Sequence, residues 1–167
     1  MIVVSNTSPL TNLAAIGQFE LLQILYNKIE IAQGVWDELN ARNKKWPGRI
    51  EVATAGWIHR HNVQNQVLVA TLRRDLDRGE AESITLALEQ QADLILLDDR
   101  EARHMAQRLG LKVIGIIGTL LEAKALGAIV EIRSHLDALR QVAGFYIKES
   151  VYQTALIRAH ENTPRGQ

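Results

Sequence analysis

The spacing of hydrophobic positions changes several times along the chain. Ile2-Val3-Val4 is a β-branched run closed by Ser5-Asn6-Thr7-Ser8-Pro9. It predicts a buried strand ending in a polar turn. Pro9 suits the first turn of a helix capped by Ser8, and Leu10, Leu13 and Ala14 carry that helix toward Gly17. Leu21, Leu22 and Leu25 give an apolar side to a helix over Phe19–Tyr26. Ile29-Glu30-Ile31-Ala32 predicts a second strand, and Val35 to Leu39 a short helix. Residues 40–48 are polar and basic and predict a loop. Residues 50–70 alternate enough to predict extended pieces around Trp57-Ile58 and Val67-Leu68-Val69.

The second half is more regular. Glu80 to Gln91 predicts a helix, and Leu94 to Leu97 a buried strand that ends in Asp98-Asp99. A helix over Glu101–Leu109 is stopped by Gly110. Val113-Ile114 is a further short strand, and Leu120 to Leu126 a helix ended by Gly127. Two more helices are expected near Val130–Val142 and Glu149–Ala159, with residues 162–167 a frayed tail. Strands alternating with helices imply an α/β fold with a mostly parallel sheet. The expectation is one three-layer α/β/α domain over residues 1–161, whose last two helices (about 130–161) are open to being an appendage.

Composition narrows the picture. The chain has 167 residues, of which 47% are apolar but only 5% aromatic, so the core must be aliphatic. Formal net charge is zero, so any nucleic-acid contact has to come from local patches. With no cysteine, disulfides, thiolate metal sites and cysteine nucleophiles are excluded. The start of the chain lacks a basic region followed by a long apolar stretch, and no apolar run approaches the ~20 residues of a membrane span. Together these readings lead us to expect a cytoplasmic protein.

In open parallel sheets, ligands bind at the carboxyl ends of strands where the strand order reverses. Two strand ends are polar here: Ser5-Asn6-Thr7-Ser8 and Asp98-Asp99. If those strands are neighbours, the two ends face one crevice. Adjacent carboxylates repel unless a cation or basic group compensates, and Arg100 or Arg103 could do so in place of a metal. Asp98 with Glu101 three residues on also resembles a capping box. At about 100° per residue, Glu80 falls close to the direction of Ile84, Ala87 and Leu88, whereas Glu82 points away and is expected in solvent. Gly79 fits an N-cap, so Glu80 is equally explained as an anion at a helix start. Glu38 follows Val35 by three residues and sits at the edge of an apolar face. His59 and His61 share one side of their segment, but no third ligand is near in sequence, and the other histidines are isolated. Basic residues cluster at Arg42, Lys44, Lys45 and Arg49 and again at Arg73, Arg74 and Arg78, near Glu38 and Glu80 in sequence. Such clusters are more often solvated faces than nucleic-acid sites.

Four stretches taken together carry a family resemblance: Val4 to Leu10, Val35-Trp36-Asp37-Glu38-Leu39, Asp77-Arg78-Gly79-Glu80-Ala81-Glu82 and Ala92 to Arg100. In order and spacing, and over nearly the whole chain, they resemble the PIN-domain family and a subgroup close to VapC-like toxins. The resemblance implies that acids after the first strand, on the next helical region, at a later helix start and after the next strand fall at Asn6, Glu38, Glu80 and Asp98. Asp99 stands beside the last, and Thr7 and Ser8 match hydroxyls beside the first. It further implies Mg²⁺- or Mn²⁺-dependent cleavage of RNA, an antitoxin protein as partner, and a homodimer. On this reading Asn6, Glu80 and Asp98 are metal ligands, and Glu38 and Asp99 serve a second metal or act as base. Arg42, Lys44, Lys45, Arg73 and Arg74 would contact RNA.

One position departs from the family. Asn6 stands where the family usually has Asp. An amide oxygen can ligate but brings no charge, which leaves open a module that binds RNA or protein with weakened chemistry. A receiver-type regulatory domain is a third reading. It would need its paired acids early, after the first strand, and here they come late.

Overall fold

The computed structural model describes residues 1–162, so the expected frayed tail lies almost entirely outside the described residues. The chain runs β1 (Val3–Ser5), α1 (Thr7–Ala15), α2 (Leu21–Tyr26), β2 (Ile29–Ala32), α3 (Gln33–Leu39), α4 (Arg49–Thr54), β3 (Ile58–His61) and α5 (Gln66–Leu72). It continues through α6 (Arg78–Glu89), β4 (Leu94–Leu96), α7 (Arg100–Arg108), β5 (Val113–Ile114), α8 (Ile116–Ala125), α9 (Arg133–Gln141) and α10 (Glu149–Arg158). All the strand pairs are parallel, in the order β3-β2-β1-β4-β5. The chain moves outward from β1 to β2 and β3, then returns to β4 on the other side. The order therefore reverses between β1 and β4, where a doubly wound sheet opens a crevice.

Alternation along the strands sets the layers. Val3, Ile29, Ile31, Leu94 and Leu96 join one buried cluster with residues of α1, α2, α8, α9 and α10. Val4, Ala32, Ile95 and Leu97 join a second with α5, α6 and α7. Two helical layers on one sheet give the expected three-layer α/β/α arrangement. Leu136, Leu139, Tyr152 and Leu156 of the last two helices belong to the first cluster together with Val3 and Leu10.

Several local expectations change. The extended piece expected around Val67-Leu68-Val69 is helix α5. Asn65 caps it by accepting from the Leu68 N–H at 3.0 Å. Val69, Leu72 and Leu76 reach the core at helical spacing, while Val67 is 80% exposed. An apolar triplet thus hid a 3.6-residue period. Residues 49–54 are also helical, whereas the expected strand near Trp57-Ile58 forms as β3. Helix α8 starts at Ile116, a turn before the expected Leu120.

The caps shift as well. Asn6, not Ser8, precedes α1, and its side chain makes no capping bond. Asp77, not Gly79, caps α6. Its carboxylate accepts from the Glu80 N–H at 2.8 Å while Glu80 Oε2 accepts from the Asp77 N–H at 3.1 Å, a reciprocal capping box. Asp99, not Asp98, caps α7, accepting from the Ala102 N–H at 2.9 Å. Glu82, expected in solvent, is buried at the contact between α6 and α3.

Candidate active site

The polar ends of β1 and β4 do meet. Ser5 is in register with Leu96, and the Asn6 N–H donates to the Leu96 carbonyl at 3.1 Å. The extended backbone at Asn6, between strand and helix, turns its side chain inward. Asn6 is 6% exposed, and its Oδ1 has no hydrogen-bond partner. Leaving such an oxygen unpaired is costly, which makes an unpaired one informative.

Gly79 shows what lies around that oxygen. A methyl group placed on it would stand 3.1 Å from Glu38 Oε2, 3.3 Å from Asn6 Oδ1 and 3.5 Å from Thr7 Oγ1. Three oxygens from the ends of β1 and α3 therefore converge on the first turn of α6. The Thr7 hydroxyl donates to Glu38 Oε2 at 2.6 Å and fixes one of them. Glu80 follows on the same turn, half-buried. Its pKa is pushed up to about 7, chiefly by loss of solvent and then by the negative charge of Asp77. Asp99 and Glu38 add to the rise, which places both within electrostatic reach of Glu80.

Asp98 stands between α1 and α8. Its Oδ1 accepts from the Ile116 N–H at the start of α8 at 2.8 Å, and Oδ2 lies 3.5 Å from the Ser8 hydroxyl. Burial raises its pKa, opposed by the Ile116 N–H, the Arg103 guanidinium and Ser8. Arg103 donates to the Leu97 carbonyl at 2.9 Å. Its charge also acts on Asp98. The structure therefore groups Asn6, Thr7, Glu38 and Glu80, with Asp99 in range. Asp98 lies at the border, tied by Ser8 to α1 and by Ile116 to α8. Ile116 itself gave no sign in the sequence, because its role is carried by a backbone N–H.

Arg42, Lys44 and Lys45 are exposed on the segment after α3, the helix of Glu38. Arg73 and Arg74 are exposed just before the Asp77 cap. Away from the cleft, His59 and His61 flank Glu30 on the neighbouring strand, with His61 Nε2 at 2.6 Å and His59 Nδ1 at 3.6 Å from Glu30 Oε2. The sequence could not show this third partner, because it lies on another strand.

Among the described residues, no three His, Asp or Glu side chains stand ready to close on a metal ion. Glu80, Asp99 and Glu38 each have one oxygen engaged, by the Asp77 N–H, the Ala102 N–H and the Thr7 hydroxyl respectively. The donor set is nonetheless all oxygen, with one oxygen buried and unpartnered. That chemistry fits a hard divalent cation such as Mg²⁺ or Mn²⁺.

Comparison with known proteins bears on the family and the fold. A family model described as PIN domain matches residues 2–161. Among solved structures, a PilT N-terminus domain protein from the hyperthermophilic archaeon Sulfolobus solfataricus P2 is similar with a TM-score of 0.52. It shares 20% sequence identity, and the match covers 74% of this chain and 93% of that one. No curated protein matches this chain. The family match and the doubly wound sheet establish that the chain belongs to the PIN-domain family and has its nuclease-type fold.

Proposed function

We propose that this chain is a divalent-metal-dependent ribonuclease of PIN type, the toxin-like member of a toxin–antitoxin pair. The observation that carries the proposal is the convergence of the unpartnered Asn6 Oδ1, Glu38 Oε2 and Thr7 Oγ1 on the turn that bears Glu80. Asn6, Glu80 and Asp98 would hold Mg²⁺ or Mn²⁺, with Glu38 and Asp99 beside them for a second metal or as base. When bound, such a cation supplies a Lewis acid for the phosphodiester and lowers the pKa of a coordinated water.

The residues of the chain have their own tasks. Glu38 or Asp99 would take the proton from the attacking water. Thr7 holds Glu38 in a single orientation. Arg42, Lys44, Lys45, Arg73 and Arg74 would neutralise RNA phosphates at the rim. The antitoxin partner and the homodimer come with this reading from the family resemblance, and the cytoplasmic location from the composition of the chain.

A second reading is favoured by one observation. Asn6 carries no charge where the family usually has Asp, so the site is short of one negative charge. A PIN fold that binds RNA or protein with weakened turnover would follow. Incubating the purified protein with single-stranded RNA, in Mn²⁺ and in EDTA, separates the two. Cleavage in Mn²⁺ that EDTA and a Glu38→Gln change both remove is the expected result. Cleavage that survives EDTA would sink the metal-dependent reading, and saturable binding without cleavage would establish the second.

A further inference from the structure

Beyond the acidic cleft, a groove of about 930 Å³ runs from Asp98 along β5. It is far larger than an ion or a single phosphate would need. Among the described residues, strand β5 is the edge of the sheet, with β4 as its only neighbour. Ile95 and Leu97 donate to the carbonyls of Lys112 and Ile114, so these groups face β4. By the alternation of a parallel ladder, the N–H and C=O of Val113 point the other way, into the groove. An unpaired strand edge is a template for another strand.

The two walls of the groove differ in chemistry. Val113 belongs to the cluster of α7, and the wall on that side presents Arg100, Arg103, His104 and Gln107. Ile114 packs with the cluster of α8 to α10, and that wall presents Ile117, Leu121, Phe145 and Val151. Lys148 and Arg158 stand at its rim, exposed and free of ion pairs among the described residues. Two carboxylates line the groove. Asp98 is occupied by Ile116, and Glu122 accepts from the Tyr26 hydroxyl at 2.9 Å.

We propose that this groove takes an extended acidic peptide, added to the sheet as a sixth strand beside β5. Successive side chains of a strand point to opposite faces. One set would lie against the cations of α7, and the alternate set against the aliphatic wall of α8 and α10. The occupant is therefore a segment alternating acidic with aliphatic residues, held by the main chain of Val113. A second copy of this chain fits worse, because two cationic rims would face each other. Single-stranded RNA would meet the cations but would leave the Val113 main chain and the aliphatic wall unused.

The test is a fluorescence-anisotropy titration of the full chain with a labelled ten-residue peptide alternating glutamate with valine. Saturable binding is expected, together with none for the same peptide carrying lysine in place of glutamate. Val113→Pro removes the outward donor without taking a bond from the ladder, and should weaken binding at least about tenfold. If that variant does not fold, an Arg100→Glu, Lys148→Glu double variant with surface changes alone should do the same. Failure of the acidic peptide to bind, or equal binding of its lysine form, overturns the proposal. So does an oligouridine that binds in its place with the same dependence on Arg100 and Lys148. A dimer in sedimentation that Val113→Pro dissolves would assign the edge to a second copy and overturn it as well. None of these outcomes depends on RNA cleavage.

Discussion

At Asn6, burial and chemistry point in opposite directions. The side chain is 6% exposed and leaves Oδ1 without a partner, yet a carboxylate there would be worse placed without a cation. It would stand near Glu38 and Glu80, and unpaired buried charge is strongly disfavoured. Asn6→Asp is therefore expected to lower the melting temperature in EDTA and to raise Mn²⁺ affinity on the order of tenfold, about 1.4 kcal/mol. Thermal melts and calorimetric titration check both halves, and unchanged Mn²⁺ affinity would mean that position 6 is not a ligand. Glu80 gives a second signature. Its carboxyl group titrates at about 7 in the folded protein, above its ordinary value of 4.5. Between those values the folded state binds more protons than the unfolded one, so stability falls as pH rises through that window. Melting temperature without divalent cations should decline from about pH 5 to about pH 7, and Glu80→Gln should flatten that part of the profile. A flat wild-type profile would show that Glu80 is not perturbed.

Helix α6 is the element on which the site depends. It packs on α3, α5 and the sheet, and its first turn carries Gly79 and Glu80. Its contact with α3 is close because Gly34 has no side chain: an added methyl would collide with Glu82 Oε2. Arg78 Nε lies 2.9 Å from that oxygen and Arg78 Nη1 lies 3.0 Å from Asp37. The Arg78–Glu82 contact is an ion pair without the alignment of a hydrogen bond, so Glu82 Oε2 counts as unpartnered by hydrogen-bond geometry. Gly34→Ala should therefore cost about 1–3 kcal/mol, the usual range for overpacking. A Glu82→Ala background should remove most of that cost, and additive losses in chemical denaturation would show that the two positions do not touch. These contacts also mark the limits of the sequence. Strong local patterns, such as Leu94 to Leu97 before two acids, were legible because one strand buries every side chain. Glu82 was misread because helical periodicity finds one apolar stripe, while α6 is covered on a second side by α3. The same limit favoured Asp98 over Asp99 as the helix cap: which of two adjacent acids turns to the helix and which to Ile116, eighteen residues on from Asp98, depends on packing against α8. Glu80 accepts from the Asp77 N–H and Asp99 from the Ala102 N–H through one carboxylate oxygen each, so capping and ligation can coexist on the two oxygens of each group.

At the scale of the whole molecule, zero net charge and a nuclease-type fold have to be reconciled. A neutral protein gains little from long-range attraction to a polyanion, so affinity rests on the local rim. Two exposed sets of cations follow Glu38 and precede Glu80 in the chain: Arg42, Lys44 and Lys45, then Arg73 and Arg74. Lys44 also lies 4.9 Å from the centre of the Trp46 ring, which limits its motion. If these cations meet phosphates, removing one of them should reduce the salt dependence of RNA binding by about 0.7 for a single strand. A Lys44→Ala, Lys45→Ala double variant should weaken binding at low salt, change folding stability by no more than about 0.5 kcal/mol, and flatten the logarithmic salt plot. An unchanged slope would move the RNA path off this rim. On the Lys44 rim, RNA and the acidic peptide proposed for the β5 groove should bind independently, and competition between them would place RNA in that groove and count against the peptide.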